Sequence, residues 1–376
     1  MKQLIVAPRL AWQLGCLCAC LMLNHQSSAQ DLHAIVIGDI SPAAQWGKYT
    51  ANVVLDVMSV QGLLADQMPR SRLHIKRFQF EEDADSNSET ILLAVQQLAV
   101  KPQDTILLFY SGHGASDDQG HYLALASGKL YRKQLLDALT AKGARLTVLL
   151  TDCCNLRSDG HRVFAPAFRS QPPKAPSPLF QSLLLQQAGI VDINGSAPGE
   201  GAFFTPYNED DPEMPGSLFT KALCAWAYDN SQRSRTWDEL VRAVSLKVHQ
   251  SFHDHYPKGV GEGNTLQKEQ NVYPISYPGK PQNKGPRTGF VIRDFPGKGA
   301  VIISVEAGSP ASQAYWLGKD TFISLAPQQV ITKVNDQPVA NTEQAVKAIA
   351  GSPQIVRFGI RDATKGSFDV LLRLRY

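Results

Sequence analysis

Between Leu32 and Val272 short apolar runs alternate with amphipathic stretches, and that alternation leaves few folds open. His33–Gly38, Leu73–Phe80, Asp104–Tyr110, Arg145–Thr151 and Ala188–Asn194 read as strands. Lys48–Met68, Ser88–Leu98, Leu130–Ala141, Leu179–Gln187, Ser217–Tyr228 and Thr236–Phe252 carry apolar residues at helical spacing. Strand–helix alternation of this kind predicts an α/β fold, a mostly parallel sheet with helices on both faces. Pro274–Arg287 has the Pro- and Gly-rich texture of a linker. Beyond it Ala300–Val305, Gln329–Val334, Ile355–Arg361 and Phe368–Leu374 are short β-type runs, and Thr342–Ala350 is one short helix. The predicted organisation is 1–29 leader, 30–273 α/β domain, 274–287 linker and 288–376 small α+β module, without internal repeats. This agrees with the two to three domains that 376 residues suggest at about 150 each.

Lys2 and Arg9 precede an apolar run from Leu10 to Leu23, and Ser27-Ser28-Ala29 supplies the small residues a signal peptidase reads. The pattern predicts export with cleavage after Ala29, to the periplasm or the exterior. The run is too short for the ~20 residues of a spanning helix, so no stable membrane insertion is expected after cleavage. An uncleaved amphipathic anchor, or lipidation within Leu17-Cys18-Ala19-Cys20, is the alternative. Lys+Arg number 37 against 34 Asp+Glu, a net +3 with the basic residues scattered, which argues against nucleic acid as a partner. Of six cysteines, Cys16, Cys18 and Cys20 lie in the leader, leaving Cys153, Cys154 and Cys224, so no disulfide scaffold is expected.

Two strands run into unusual loops. Leu107–Tyr110 continues into Ser111-Gly112-His113-Gly114, and Val148–Thr151 into Asp152-Cys153-Cys154-Asn155. Sites in open α/β sheets form at the C-terminal ends of strands. A glycine-flanked histidine beside a cysteine makes a thiolate–imidazole dyad, in which the imidazole lowers the thiol pKa and later protonates a leaving amine. The backbone N–H groups of Gly114 and Cys154 are candidates for an oxyanion hole.

At these residues the sequence resembles caspase-like cysteine peptidases, and bacterial metacaspase-like proteins in particular. Tyr110-Ser111-Gly112-His113-Gly114 matches the family's histidine loop, and Asp152-Cys153-Cys154 its Asp-x-Cys loop. Ser196–Ala202 and Ser217–Leu223 resemble stretches that follow the catalytic strand. The resemblance spans about residues 32–255 and implies a caspase–hemoglobinase fold and hydrolysis of protein or peptide substrates through an acyl-enzyme. It places the nucleophile on Cys154, the base on His113, and the S1 pocket on Asp152 with Ser111, favouring Arg or Lys at P1. A strand-end cap is the other reading of Asp152. Asn155-Leu156-Arg157 departs from the family's His-Ser-Gly. The Pro-rich stretch after it, with Arg157, Arg162 and Arg169, reads as an autoprocessing site or an untouched loop. Many metacaspases use calcium, and Glu81-Glu82-Asp83 and Glu209-Asp210-Asp211 are acidic, but such runs are ordinary solvated turns; no cofactor or metal site is assigned. His249 and His253, four apart, read as a solvated helix end.

The C-terminal module resembles PDZ domains of bacterial secreted proteases. Thr288-Gly289-Phe290-Val291 resembles their carboxylate-binding loop. Glu306–Ala311 and Val330–Val339 match their helix entry and strand pair, although Leu325-Ala326-Pro327-Gln328-Gln329 stands where Leu-x-Pro-Gly-Asp is usual. The resemblance implies a C-terminal peptide ligand added as a strand at Gly289, Phe290 and Val291. A module that only caps the first domain is the other reading. For the whole chain the alternative to an exported cysteine endopeptidase is an inactive caspase-like and PDZ-bearing scaffold.

Overall fold

The computed structural model describes residues 30–41, 50–154, 172–205, 216–261, 266–280, 288–295, 297–319, 321–350, 352 and 354–374. The leader, the arginines at 157, 162 and 169, residues 155–157 and the acidic run 209–211 lie outside them.

The first unit contains β1 (Leu32–Asp39), α1 (Thr50–Gln67), β2 (Leu73–Phe80), α2 (Ser88–Gln96), β3 (Thr105–Ser111), β4 (Gly114–Asp117), β5 (Gly120–Leu125), β6 (Gly128–Tyr131), α3 (Arg132–Thr140), β7 (Leu146–Asp152), β8 (Gly189–Asn194), α4 (Leu218–Asp229), α5 (Trp237–His255) and β9 (Tyr273–Ser276). Six strands form one sheet in the order β2-β1-β3-β7-β8-β9, parallel except for β9. Period-two alternation sorts β1 between two cores. Leu32, Ala34 and Val36 pack with Val57 and Leu64 of α1, Leu223 of α4 and Val244 of α5. Ile35 and Ile37 pack with Ile91 and Val95 of α2 and Leu135 and Leu139 of α3. Burying each of these Leu, Val and Ile side chains contributes about 1.5–3 kcal/mol, so both faces of the sheet hold the helices in place. Asn87 caps α2 by accepting from the Thr90 N–H, and Thr236 with Glu239 forms a capping box on α5.

Two expectations change here. The stretch read as linker from 274 begins as strand β9, in which Asn194 pairs with Tyr273 and Ile193 with Pro274. Proline removes a ladder donor, and β9 tolerates it because it is an edge strand. The stretch 179–187 is not one regular helix: a turn at Pro178–Phe180 passes into a π-turn at Gln181–Leu185.

The C-terminal unit contains β10 (Phe290–Phe295), β11 (Gly299–Val305), β12 (Ala314–Trp316), β13 (Thr321–Ile323), β14 (Val330–Val334), β15 (Gln337–Pro338), α6 (Thr342–Ala350), β16 (Ile355–Asp362) and β17 (Gly366–Arg373). Its sheet runs β10-β11-β14-β16-β17-β12-β13, with β15 on β14, around a core that includes Ile302, Val334, Phe358 and Val370. The departure at Gln328 does not remove the turn: Gln328 adopts φ +72° and its N–H donates to the Ile302 carbonyl at 2.8 Å. Arg242 of α5, 4% exposed, donates to the Ser309 carbonyl at 3.2 Å and to the Gly308 carbonyl at 3.3 Å, tying the two units together. His249 is buried at this seam rather than solvated. Its ring lies 4.6 Å from that of His253, and both line a cavity of about 580 Å³ with Glu269, Asp336 and Arg357.

Candidate active site

β3 and β7 are neighbours in register, with Ser111 opposite Asp152. His113 therefore leaves the sheet two residues past this pair on one strand, and Cys154 two residues past it on the other. The loops touch. The Gly112 N–H donates to the Asp152 carbonyl at 3.3 Å. A Cβ on Gly114 would stand 2.7 Å from both the Cys153 sulfur and the Cys154 carbonyl. The histidine loop turns directly into the β4–β5–β6 hairpins, and the His113 carbonyl accepts from the Ala124 N–H at 3.0 Å and the Tyr110 hydroxyl at 2.9 Å. His113 is thus fixed through its own backbone. Gly114→Ala has no space without moving the cysteine loop, and should cost about 1–3 kcal/mol, measured as a lower urea midpoint with an unchanged slope.

The adjacent cysteines occupy different surroundings. Cys153 is 1% exposed; its thiol donates to Asn194 Oδ1 at 3.5 Å and sits 3.6 Å from His121 Nε2. Burial pushes it far above an ordinary thiol. Cys154 is half-buried, and its sulfur accepts from the Ala202 N–H at 3.3 Å. Desolvation raises the Cys154 thiol and the Asp152 carboxylate adds to this, while Ala202 opposes. A base is therefore needed to generate the thiolate.

Two neighbours of the dyad lie outside the sequence motifs. His121 Nε2 donates to the Cys154 carbonyl at 3.1 Å, and burial, with Arg132 nearby, lowers its imidazole to about 3, so it is neutral. Asp39, at the end of β1, accepts from the Ser86 hydroxyl at 2.7 Å and the Ser41 N–H at 3.1 Å. Burial raises its carboxyl; these hydrogen bonds and the charge of His113 hold it back.

Asp152 and Ser111 are both buried, 4% and 1% exposed, and meet a third group, Asp56 of α1. Ser111 donates to Asp56 Oδ2 at 2.8 Å rather than standing on the surface. Asp152 Oδ2 accepts from the Thr220 N–H at 3.0 Å and its hydroxyl at 2.6 Å. The Ser217 hydroxyl contacts Asp56 Oδ2 at 2.7 Å and also Asp152 Oδ2. The Ser217 hydroxyl thus bridges the two carboxylates. Burial first, then the Asp152 charge, push Asp56 up to about 8. Asp152 Oδ1 is buried and has no hydrogen-bond partner among the described residues. It faces Gly195, where a Cβ would come within 2.9 Å of it. The described acidic turn, Glu81-Glu82-Asp83, is exposed.

In the C-terminal unit, Gly289 takes φ +77° and lies so close to Ser309 that no Cβ fits. Phe290 packs edge-on against Phe358, with ring centroids 5.6 Å apart, and Val291 is 59% exposed. β10, which carries Phe290 and Val291, is an edge strand.

Residues 54–276 match the family model described as "Caspase domain". No curated protein matches the sequence. A solved structure described as that of pro-sf-caspase-1 is similar over 67% of this chain and 92% of its own, at 16% identity and a TM-score of 0.41. The family match covers more than half of the chain and takes in both loops at the rim of the sheet. The chain belongs to the caspase-domain family of cysteine peptidases.

Proposed function

We propose that the protein is an exported cysteine endopeptidase that cuts after basic residues. His113 takes the Cys154 proton, and the thiolate adds to the scissile carbonyl. The Gly114 and Cys154 N–H groups receive the oxyanion. Collapse of the adduct breaks the C–N bond as His113 returns the proton to the leaving amine. Water, deprotonated by His113, then releases the acid and restores the thiol. The reading is carried by the contact between the histidine and cysteine loops on adjacent parallel strands. Preference for Arg or Lys at P1 is supported by the buried Asp56–Asp152 pair, whose unpartnered oxygen suits a guanidinium donor. In the C-terminal unit the open edge of β10, beginning at the Gly289 turn, suits strand addition by a C-terminal peptide.

A scaffold without activity is the second reading, favoured by the Cys154 sulfur's contact with Ala202 and its raised pKa. Arg- and Asp-terminated fluorogenic peptides, with and without calcium, separate the two. The peptidase reading expects turnover of the Arg peptide and labelling of Cys154 by a thiol electrophile. Neither turnover nor labelling under any condition would leave the scaffold.

A further inference from the structure

The end of the sheet opposite the catalytic loops carries a second cluster. On one face of the sheet, Ile35 and Ile37 of β1 and Phe78 and Phe80 of β2 pack in the core beneath α2. Moving toward the strand starts, the same face continues through His33 on β1 and Asp31 just before it, and through Lys76 and His74 on β2. α2 ends at Gln96, and here the apolar residues give way to imidazoles and carboxylates.

The parallel register sets His33 directly opposite His74. Their rings stack with centroids 4.7 Å apart and an interplanar angle of 22°. Asp31 Oδ2 is 3.4 Å from His74 Nε2. One ligand atom from each of Asp31, His33 and His74 lies within 4.8 Å of the other two. Behind them stands Asp104, 0% exposed, with Oδ2 3.2 Å from His33 Nε2. Asp104 is held in turn by the N–H groups of Asp31 at 3.0 Å and Lys101 at 2.9 Å. A buried carboxylate on one nitrogen of an imidazole fixes the ring's orientation, as in the outer shell of metal-bound histidines. His33, 7% exposed, is therefore preset, while His74 on the edge strand has half its side chain in solvent and can close onto an ion.

We propose that Asp31, His33 and His74 bind a divalent transition-metal ion of the zinc type, with Asp104 orienting His33. Two imidazoles and one carboxylate suit zinc, copper or nickel and not calcium or magnesium, which take oxygen ligands. Three protein ligands leave a position for water. The ion clips edge strand β2 to β1 at the end of the sheet remote from Cys154. Lys101, with Nζ 3.8 Å from Asp31 Oδ2, is the competing cation; its side chain is 58% exposed and free to swing away.

The test is calorimetric titration of Zn²⁺ into untagged protein carrying Cys154→Ala, which removes the thiol as a competing ligand. The expected result is one equivalent bound, weakened at least about tenfold by His74→Gln and by Asp31→Asn. Metal-free melting curves of both variants check that they remain folded; His74 is exposed enough that its variant should melt like the parent. No stoichiometric binding by the parent, or an affinity unchanged in either folded variant, overturns the proposal. The readout does not use peptide cleavage, so it stands or fails apart from the peptidase reading.

Discussion

Cys154→Ala should lower kcat/KM on an Arg-terminated peptide at least about a thousandfold, because removing a covalent nucleophile leaves only binding and oxyanion contacts. Cys153→Ala should keep kcat/KM within about tenfold, despite the adjacency of the two thiols in sequence. The physical difference is access: Cys153 is walled in by Gly114, Asn194 and His121, whereas Cys154 is half-buried at the rim. Cys153→Ala should instead appear as a lower melting temperature, since it empties a packed site. Alkylation of the parent should label Cys154 and accelerate with pH, because its thiol lies above the ordinary range. Cleavage surviving in Cys154→Ala and lost in Cys153→Ala would move the nucleophile by one residue and reverse this assignment.

The Asp56–Asp152 pair should govern both specificity and pH response. Asp56→Asn and Asp152→Asn should each reduce the preference for Arg over Gln at P1 by about 10–100-fold, the range for losing a hydrogen bond to a charged group. The proton on Asp56 also sets a direction for stability. Its carboxyl titrates near 8 in the fold and near 3.8 when unfolded, so the folded protein binds the extra proton between those values. Stability from this group is full below the unfolded pKa and is lost as pH rises toward 8. The urea midpoint of the parent should therefore fall from pH 6 to pH 8, and that of Asp56→Asn should fall less. A guanidinium in the pocket favours loss of the proton, so kcat/KM for Arg peptides should rise over the same interval. An unchanged Arg/Gln ratio in both variants would remove the pair from substrate recognition.

The strands of the main sheet were legible because buried parallel strands are short, apolar and separated by helices; the ends of β1, β2, β3, β7 and β8 fall within about two residues of the pattern read from the chain. The two rim loops were legible because glycine next to histidine, and cysteine after an apolar strand, are local features. Asp56 was not. It is one of two carboxylates in a mostly apolar helix, and its meaning arises only where α1 crosses the ends of β3 and β7. His121 and Asp39 are of the same kind, defined by partners reached through the sheet and not along the chain. The β4–β6 hairpins did leave a signal. Asp118-Gln119-Gly120 and Ser127-Gly128 bracket the apolar Tyr122–Leu125, with Gly120 and Gly128 at positive φ as tight hairpin turns require. Strand β9 was hidden by Pro274, which belongs to an edge and not to a linker.

The burial of Cys153 also bears on chemical wear. A thiol oxidised to sulfenic acid is rescued when a neighbouring thiol condenses with it, and otherwise proceeds to irreversible acids. Among the described residues the other two thiols are poorly placed for this: Cys153 sits beneath Gly114, and Cys224 is buried in the other core. Peroxide damage at the rim would thus accumulate, and the lifetime of the molecule outside a reducing compartment would depend on small thiols in its surroundings and not on Cys153 or Cys224.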